Sequence, residues 1–328
     1  MASSQFLSLV KQAVRESNFS IRTERTYLDW IKRYILFHNK RNPANMGENE
    51  VAAFIDYLAN ERKVSASTQN QALNALVFLY EKILQKDCGN FANIARAKKT
   101  TTPPAILSRK EVDNLLKQLG HEQWLIASLL YGAGLRLLEC LRVRIQDIDI
   151  EHRTIYVRSG KHNEDRVTLL PEAVVPELQQ YLRQLRASHM RELEQGHGSV
   201  YLPYAVEQRY PGASHEWQWQ YLFPARKRTI DRRSGREVRH HYCTKTVQAA
   251  LKTATRKASI KKPVNCHTLR HTFAAHLLAD GHDIRRVQSL LGHSDIRSTQ
   301  VYNQVVKIKQ PQQRPSSRAQ HSPRWAMA

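Results

Sequence analysis

Two adjacent prolines, Pro103 and Pro104, close the stretch Ala95-Arg-Ala-Lys-Lys-Thr-Thr-Thr-Pro-Pro-Ala105 and constrain the fold more than any other feature of the chain. Proline lacks an N–H and its ring clashes with the preceding helical turn, so no helix runs through. The adjacent Lys98 and Lys99 repel each other and favour an extended form. At about 3.3 Å per residue the stretch reaches roughly 30 Å, enough to pass across a nucleic-acid duplex. A chain of 328 residues also exceeds what one core comfortably organises. The expectation is a helical domain over 1–94, a basic linker over 95–105, a second domain over 106–309 and a disordered tail over 310–328, rich in Pro, Ser, Gln and Arg.

Apolar spacing fills in the elements. Tyr27, Ile31, Tyr34 and Ile35 recur at helical period over Thr23 to Phe37, with Ser20 as a cap, and Asn49 to Asn60 and Ser67 to Leu84 repeat the pattern. Beyond the linker Ser108 caps a helix opening Arg109-Lys-Glu111, and Trp124 to Arg142 reads as one helix. Thr154 to Arg158 and Arg166 to Leu170 read as strands, which places Lys161 on a hairpin tip. Prolines, glycines and four clustered aromatics (Trp217, Trp219, Tyr221, Phe223) interrupt the helical pattern from His189 to His241. Helices resume over Thr244 to Ala258, Thr268 to Asp280, Asp283 to Leu291 and Ile296 to Lys307, with Gly281 and Gly292 as stops. The fold class expected is mainly α with a small antiparallel sheet.

Charge narrows the function. Lys and Arg number 51 against 29 Asp and Glu, a net charge of +22, which is the footprint of a protein that binds a polyanion. Charge alone also fits a protein that meets ribosomes or acidic membranes. Membrane insertion is not expected, because the longest greasy stretch, Trp124 to Leu135, is short and broken by glycines. Lys11 and Arg15 interrupt any apolar leader, so a cytoplasmic protein is expected. Four widely spaced cysteines, Cys88, Cys140, Cys243 and Cys266, fit reduced thiols.

The chemistry lies in Arg136, Lys161, His267, Arg270, His293 and Tyr302. Such a set could surround one phosphate with cations and donors while a phenol oxygen attacks the phosphorus. Phosphoryl transfer asks mainly for positioning and charge dispersal, so fixed cations can do work often given to a metal, and no cofactor is expected. His267 and His271 have the i, i+4 spacing of a zinc pair, but no glutamate lies between them and Arg270 would put a cation beside the ion. No metal is assigned, and His271 and His276 are read as packing or polar core residues.

The segments Gly132-Ala-Gly-Leu-Arg-Leu-Leu-Glu139, His267-x-x-Arg270-His271 and Leu291-Gly-His293, nine residues before Tyr302, resemble the boxes of the tyrosine recombinases. The stretch Val200 to His241, with Tyr201-Leu-Pro203, Trp219-Gln-Tyr-Leu-Phe-Pro224 and Arg233-Ser-Gly-Arg-x-x-Arg-His-His241, resembles the insertion of the integron integrases, and an insertion over about 189–241 is expected. The resemblance implies a SAM-like core-binding domain followed by a DNA breaking-rejoining domain. It implies a bacterial enzyme, nucleoid-associated when acting, that recombines double-stranded sites and gene-cassette sites folded from one strand into hairpins, as a homotetramer on two DNA sites. Tyr302 would then be the nucleophile and form a 3′-phosphotyrosyl bond. Arg136 and Arg270 would hold the non-bridging oxygens, His267 and His293 would donate to them with His267 also helping to orient or deprotonate Tyr302, Lys161 would protonate the leaving 5′-oxygen, and Glu139 would orient the arginine or His267. His162 and Asn163 follow Lys161 where family members often carry glycine, and Asn303-Gln304 departs from the usual Thr-His.

From Ala225 to Lys262 thirteen basic residues stand against two acids, a density suited to phosphates or to solvent. Arg232, Arg233 and Arg239 are assigned to DNA. Trp217, Trp219, His240 and His241 offer flat faces for unstacked bases, or alternatively form a small satellite core. Two other readings keep the same pocket: a type IB topoisomerase-like relaxase, which the insertion argues against, and a non-cutting DNA-binding regulator, which has no reason to hold all six polar groups.

Overall fold

The computed structural model describes residues 2–17, 19–86, 103–158, 165–231 and 235–302. Lys161, Arg232, Arg233, the linker lysines Lys98 and Lys99, Cys88 and the tail lie outside them. Contacts divide the chain into two compact units, Met1–Thr102 and Pro103–Ala328.

Among the described residues the first unit has four helices: α1 (Ala2–Glu16), α2 (Ile21–Phe37), α3 (Glu48–Asn60) and α4 (Ala66–Phe78), the last continuing into a π-helical turn, Leu79–Ile83. The Ser20 hydroxyl accepts from the Thr23 N–H at 3.1 Å and starts α2 as its sequence suggests. Val10, Val14, Ile31, Tyr34, Phe54, Leu76 and Tyr80 form the core, and the buried Tyr34 and Tyr80 hydroxyls hydrogen-bond to each other at 2.8 Å. The sequence reading placed no helix at α1, although Phe6, Val10 and Val14 follow helical spacing.

The second unit opens with α5 (Arg109–Leu116) and α6 (His121–Gly132), then α7 (Leu137–Arg142). Ser108 and Glu111 cap α5 reciprocally, at 3.2 and 2.7 Å. The single helix expected from Trp124 to Arg142 is instead two. Gly134 takes a left-handed φ of +62° and Arg136 is extended, so the chain breaks and restarts there. A helical run could not have turned the Gly134 carbonyl outward to meet a side chain from another helix.

A meander follows, β1 (Ile148–Asp149), β2 (Thr154–Val157) and β3 (Arg166–Leu169), paired antiparallel in that order. The Thr168 hydroxyl donates to the Ala133 carbonyl at 2.8 Å and ties β3 to the break before α7. Helix α8 (Val175–Glu194) runs into the segment expected to be irregular from His189, and after a short helix α9 (Tyr204–Arg209) a second two-stranded sheet forms, β4 (Pro224–Ile230) with β5 (Glu237–His241). Three helices complete the described fold: α10 (Thr244–Lys257), α11 (Cys266–Ala279) and α12 (Ile284–Leu291), with residues 297–302 helical beyond them. The main core gathers Leu129, Leu130, Leu141, Leu178, Leu251, Phe273 and Val287 around α6 and α11. Among the described residues no helix is long and apolar enough to cross a membrane.

Candidate active site

Three arginines from three parts of the chain meet at the end of α12. A helix leaves its last carbonyls without intrahelical partners and carries a partial negative charge there. Gly292 ends α12 in the left-handed conformation, φ +61°, and exposes those carbonyls. Arg166 Nε donates to the Leu290 carbonyl at 3.1 Å, Arg270 Nη2 to Leu291 at 2.5 Å and Arg136 Nη2 to Gly292 at 3.0 Å. A Cβ on Gly292 would come within 2.8 Å of the Arg166 side chain, so glycine is needed for both reasons.

Glu139 is the counter-charge. It sits at the start of α7, is 9% exposed, and accepts from Arg136 Nη1 at 2.6 Å and from Arg166 Nη1 and Nη2 at 3.1 and 2.7 Å. Its second oxygen also takes the Arg136 N–H at 2.8 Å and lies 3.8 Å from Arg270 Nη1. Burial works to raise its pKa, but Arg166 and Arg136 together win and hold it down at about 2. Arg166 was read in the sequence only as a strand residue. The alternation of β3 and the nearby Glu139 offered no signal that it would complete this cluster.

Arg270 is 2% exposed. It reaches the Gly134 carbonyl at 2.6 Å as well as Leu291, and burial together with the charge of Arg136 lowers its pKa to about 9. One carboxylate therefore faces three guanidinium groups. That surplus of buried positive charge is the condition under which an anion is bound strongly.

Helix α11 delivers the histidines. The Asn265 side chain accepts from the Thr268 N–H at 3.0 Å and Thr268 returns the bond at 3.1 Å, which fixes the first turn. His267 and His271 then stand one turn apart with ring centroids 6.2 Å apart. The Tyr302 hydroxyl lies 2.7 Å from Nδ1 of His271, not His267. His271 was read from sequence as a packing residue. His293 stacks beside Tyr302, centroids 6.3 Å apart, and its Nδ1 meets the Thr299 hydroxyl at 3.0 Å. Burial, with the nearby cations, depresses His271 and His293 to about 4 each and lowers His267, so all three rings are neutral at pH 7. Tyr302 is 4% exposed, and burial raises its pKa while Arg270 and Arg136 pull the other way. Arg136, His267, Arg270, His293 and Tyr302 thus converge.

The segment 195–241 is anchored to the same domain by Arg144. Its guanidinium donates to the carbonyls of Trp219 and Tyr201 and lies 4.5 Å from the ring centroid of Tyr221. Backbone bonds from Ile145 to Gln220 and from Leu222 to Val143 continue the seam, at 3.0 and 2.8 Å. Trp219 packs half-buried on a satellite core of Val200, Leu202, Ala213 and Tyr221. Trp217 lies beside His189, His240 stacks on Tyr201 at 5.0 Å, and His241 Nδ1 meets the Tyr242 carbonyl at 2.9 Å. Arg239 is bound by Glu192 and the Ala225 carbonyl. A cleft of about 600 Å³ opens between Tyr210, Gly212, His215 and Arg236.

Known proteins supply an independent test. Residues 105–308 match the phage integrase family, and residues 6–90 match the phage integrase N-terminal SAM-like domain. An integrase/recombinase of Escherichia coli is 43% identical over 308 residues, covering 94% of this chain and 91% of its own. The tyrosine recombinase XerA of Thermococcus kodakarensis is 31% identical over 289 residues, 86% of this chain and 84% of its own. Among solved structures, XerH bound to palindromic difH substrate in a post-cleavage complex has the same fold, with a TM-score of 0.61 at 18% identity over 90% of this chain and 80% of that one. A lambda integrase dimer bound to a COC′ core site gives 0.61 at 15% identity over 91% and 94%. A helical SAM-like unit, a catalytic unit of this fold and relatives that span nearly the whole chain leave one assignment: the chain belongs to the phage integrase family and is a tyrosine recombinase.

Proposed function

We propose that the enzyme is an integron-type integrase, which cuts and rejoins DNA through Tyr302 and captures or excises gene cassettes at hairpins folded from a single strand. The observation that carries the catalytic half is the convergence of Arg136, Arg270 and Tyr302 on one anion-seeking pocket, in which Glu139 is the only carboxylate among the described residues that touches the arginines. In cleavage the Tyr302 oxygen bonds to phosphorus, the bond from phosphorus to the 5′-oxygen breaks, and a 3′-phosphotyrosyl link with a free 5′-hydroxyl remains. Arg136 and Arg270 exchange helix-end carbonyls for the non-bridging oxygens, and losing either donor set costs about 10²- to 10³-fold in rate. His267 and His293 donate to the same phosphate. Lys161, outside the described residues, protonates the 5′-oxygen. The attack conserves the bond's energy, so a second strand's hydroxyl can reverse it without ATP.

The hairpin half rests on the segment 195–241. Its half-buried Trp219, the exposed Tyr210 and the adjoining cleft give flat faces and room for an unstacked nucleobase, with Lys98, Lys99, Arg232 and Arg233 as further phosphate contacts. Recognition by shape and extrahelical bases suits such a surface better than reading a groove. The relatives bound to difH and to a core site indicate DNA as partner, and we assign a homotetramer on two sites as the working assembly. Incubation with a nicked hairpin site tests the whole reading. The native protein forms a denaturant-resistant adduct, Tyr302→Phe forms none yet still binds, and an adduct that persists in Tyr302→Phe names another nucleophile.

A further inference from the structure

We propose that His271 is the base that takes the phenolic proton of Tyr302 during strand cleavage; the inference rests on Tyr302 being the nucleophile. Among the described residues the Tyr302 hydroxyl has a single hydrogen-bond partner, Nδ1 of His271 at 2.7 Å, and the two ring centroids lie 5.4 Å apart. Hydrogen-bond contact with the proton to be removed is the first requirement of a general base. His267, one turn earlier, makes no such contact. His271 follows Arg270 directly on α11, whose first turn is locked by the Asn265–Thr268 cap, so the base and the cation that holds phosphate share one rigid element.

The electrostatic surroundings fit the task. From its own helix His271 faces His267 and Arg270, from the chain after α12 it faces His293, and from the last helical stretch Tyr302. Burial, His267 and Arg270 keep the ring neutral in the free protein, pKa about 4, so with Nε2 carrying its one proton the Nδ1 lone pair is open to the phenol. Burial is the larger part of that depression, and a phosphate that docks on Arg270 offsets the part that this guanidinium adds. The proton affinity of His271 then rises as the tyrosine gives its proton up. In the step, Tyr302 Oη bonds to phosphorus and its proton passes to Nδ1, the bond from phosphorus to the 5′-oxygen breaks with its electron pair on that oxygen, and Lys161 protonates it. Rejoining returns the Nδ1 proton to the leaving phenolate.

Single-turnover adduct formation on the nicked hairpin, with the adduct mapped to its peptide, is the test. His271→Ala and His271→Gln slow it by about 10²- to 10⁴-fold. Imidazole added to His271→Ala restores part of the rate, and the residual rate climbs with pH as hydroxide replaces the ring. Because the rescue is read on the same protein, a misfolded variant cannot imitate it. A substrate with a bridging 5′-sulfur, which needs no acid, leaves the defect in place. Wild-type rate in His271→Gln, a loss that imidazole and alkaline pH leave untouched, or rescue by the 5′-sulfur each overturns the proposal. If the native adduct maps to Tyr302 while His271→Ala cleaves normally, only His271 loses its role; an adduct in Tyr302→Phe removes both.

Discussion

Single residues in this pocket answer to two demands at once. Gly134 supplies a left-handed turn that aims its carbonyl at Arg270, and a Cβ there would lie 2.5 Å from the Phe273 ring. Gly134→Ala therefore adds backbone strain to a core clash and should cost about 2–5 kcal/mol, read as a lower denaturant midpoint at unchanged slope. Glu139 answers to three arginines. Glu139→Gln leaves buried cations without their counter-charge and should cost about 3–5 kcal/mol. The same pair predicts a pH dependence. The unfolded Glu139 protonates near 4.5 and the folded one only at about 2, so its stabilisation is complete above pH 4.5 and is lost as pH falls through that interval. His271 and His293 act at higher pH: folded values near 4 against 6.5 mean that stability present above 6.5 declines as pH falls toward 4. Native protein minus Glu139→Gln, in denaturant midpoints from pH 6 to 2, should shrink below 4.5; a constant difference would contradict the burial of that carboxylate.

Elements differ in how openly they announce themselves. The helices α2, α5 and α12 begin at the capping residues Ser20, Ser108 and Asp283, and α12 stops at the left-handed Gly292. The break between α6 and α7 was not visible, because Tyr131, Leu135 and Leu138 keep a helical rhythm across it and glycines such as Gly132 and Gly134 are tolerated within a helix. The hairpin β4–β5 was also missed, since its Arg- and Lys-rich strands alternate weakly and are held by the Arg239 side chain and by backbone bonds that join Arg239 to Ser199 and Tyr201 more than by a buried face. For the proposed hairpin substrate this element makes a prediction of its own. Trp219→Ala should weaken binding to bulged hairpins by about 1–3 kcal/mol and binding to plain duplex by much less. Titration of both DNAs decides it, and equal losses would return Trp219 to a packing role alone.

At the level of the whole molecule the surplus of 22 positive charges sets the response to salt. If the enzyme neutralises six to ten phosphates, affinity for its DNA should fall by about 10³- to 10⁵-fold between 50 and 200 mM salt. A nearly flat dependence, measured by fluorescence anisotropy, would mean that the basic residues face solvent and not the nucleic acid.

Composition and motif spacing determined the broad architecture and the chemistry class: helical period is local, charge is additive, and boxes such as His267-x-x-Arg270 keep their spacing whatever surrounds them. What the tertiary structure decided is which group touches which. Arg166 and Arg136 share Glu139 although they come from different elements, and His271, not His267, meets the Tyr302 hydroxyl. Helix phase and the packing of α11 against the last helical stretch fix those partners. Contacts between residues so far apart along the chain leave no periodic trace in it, because they depend on where whole elements come to rest and not on the order of neighbouring side chains.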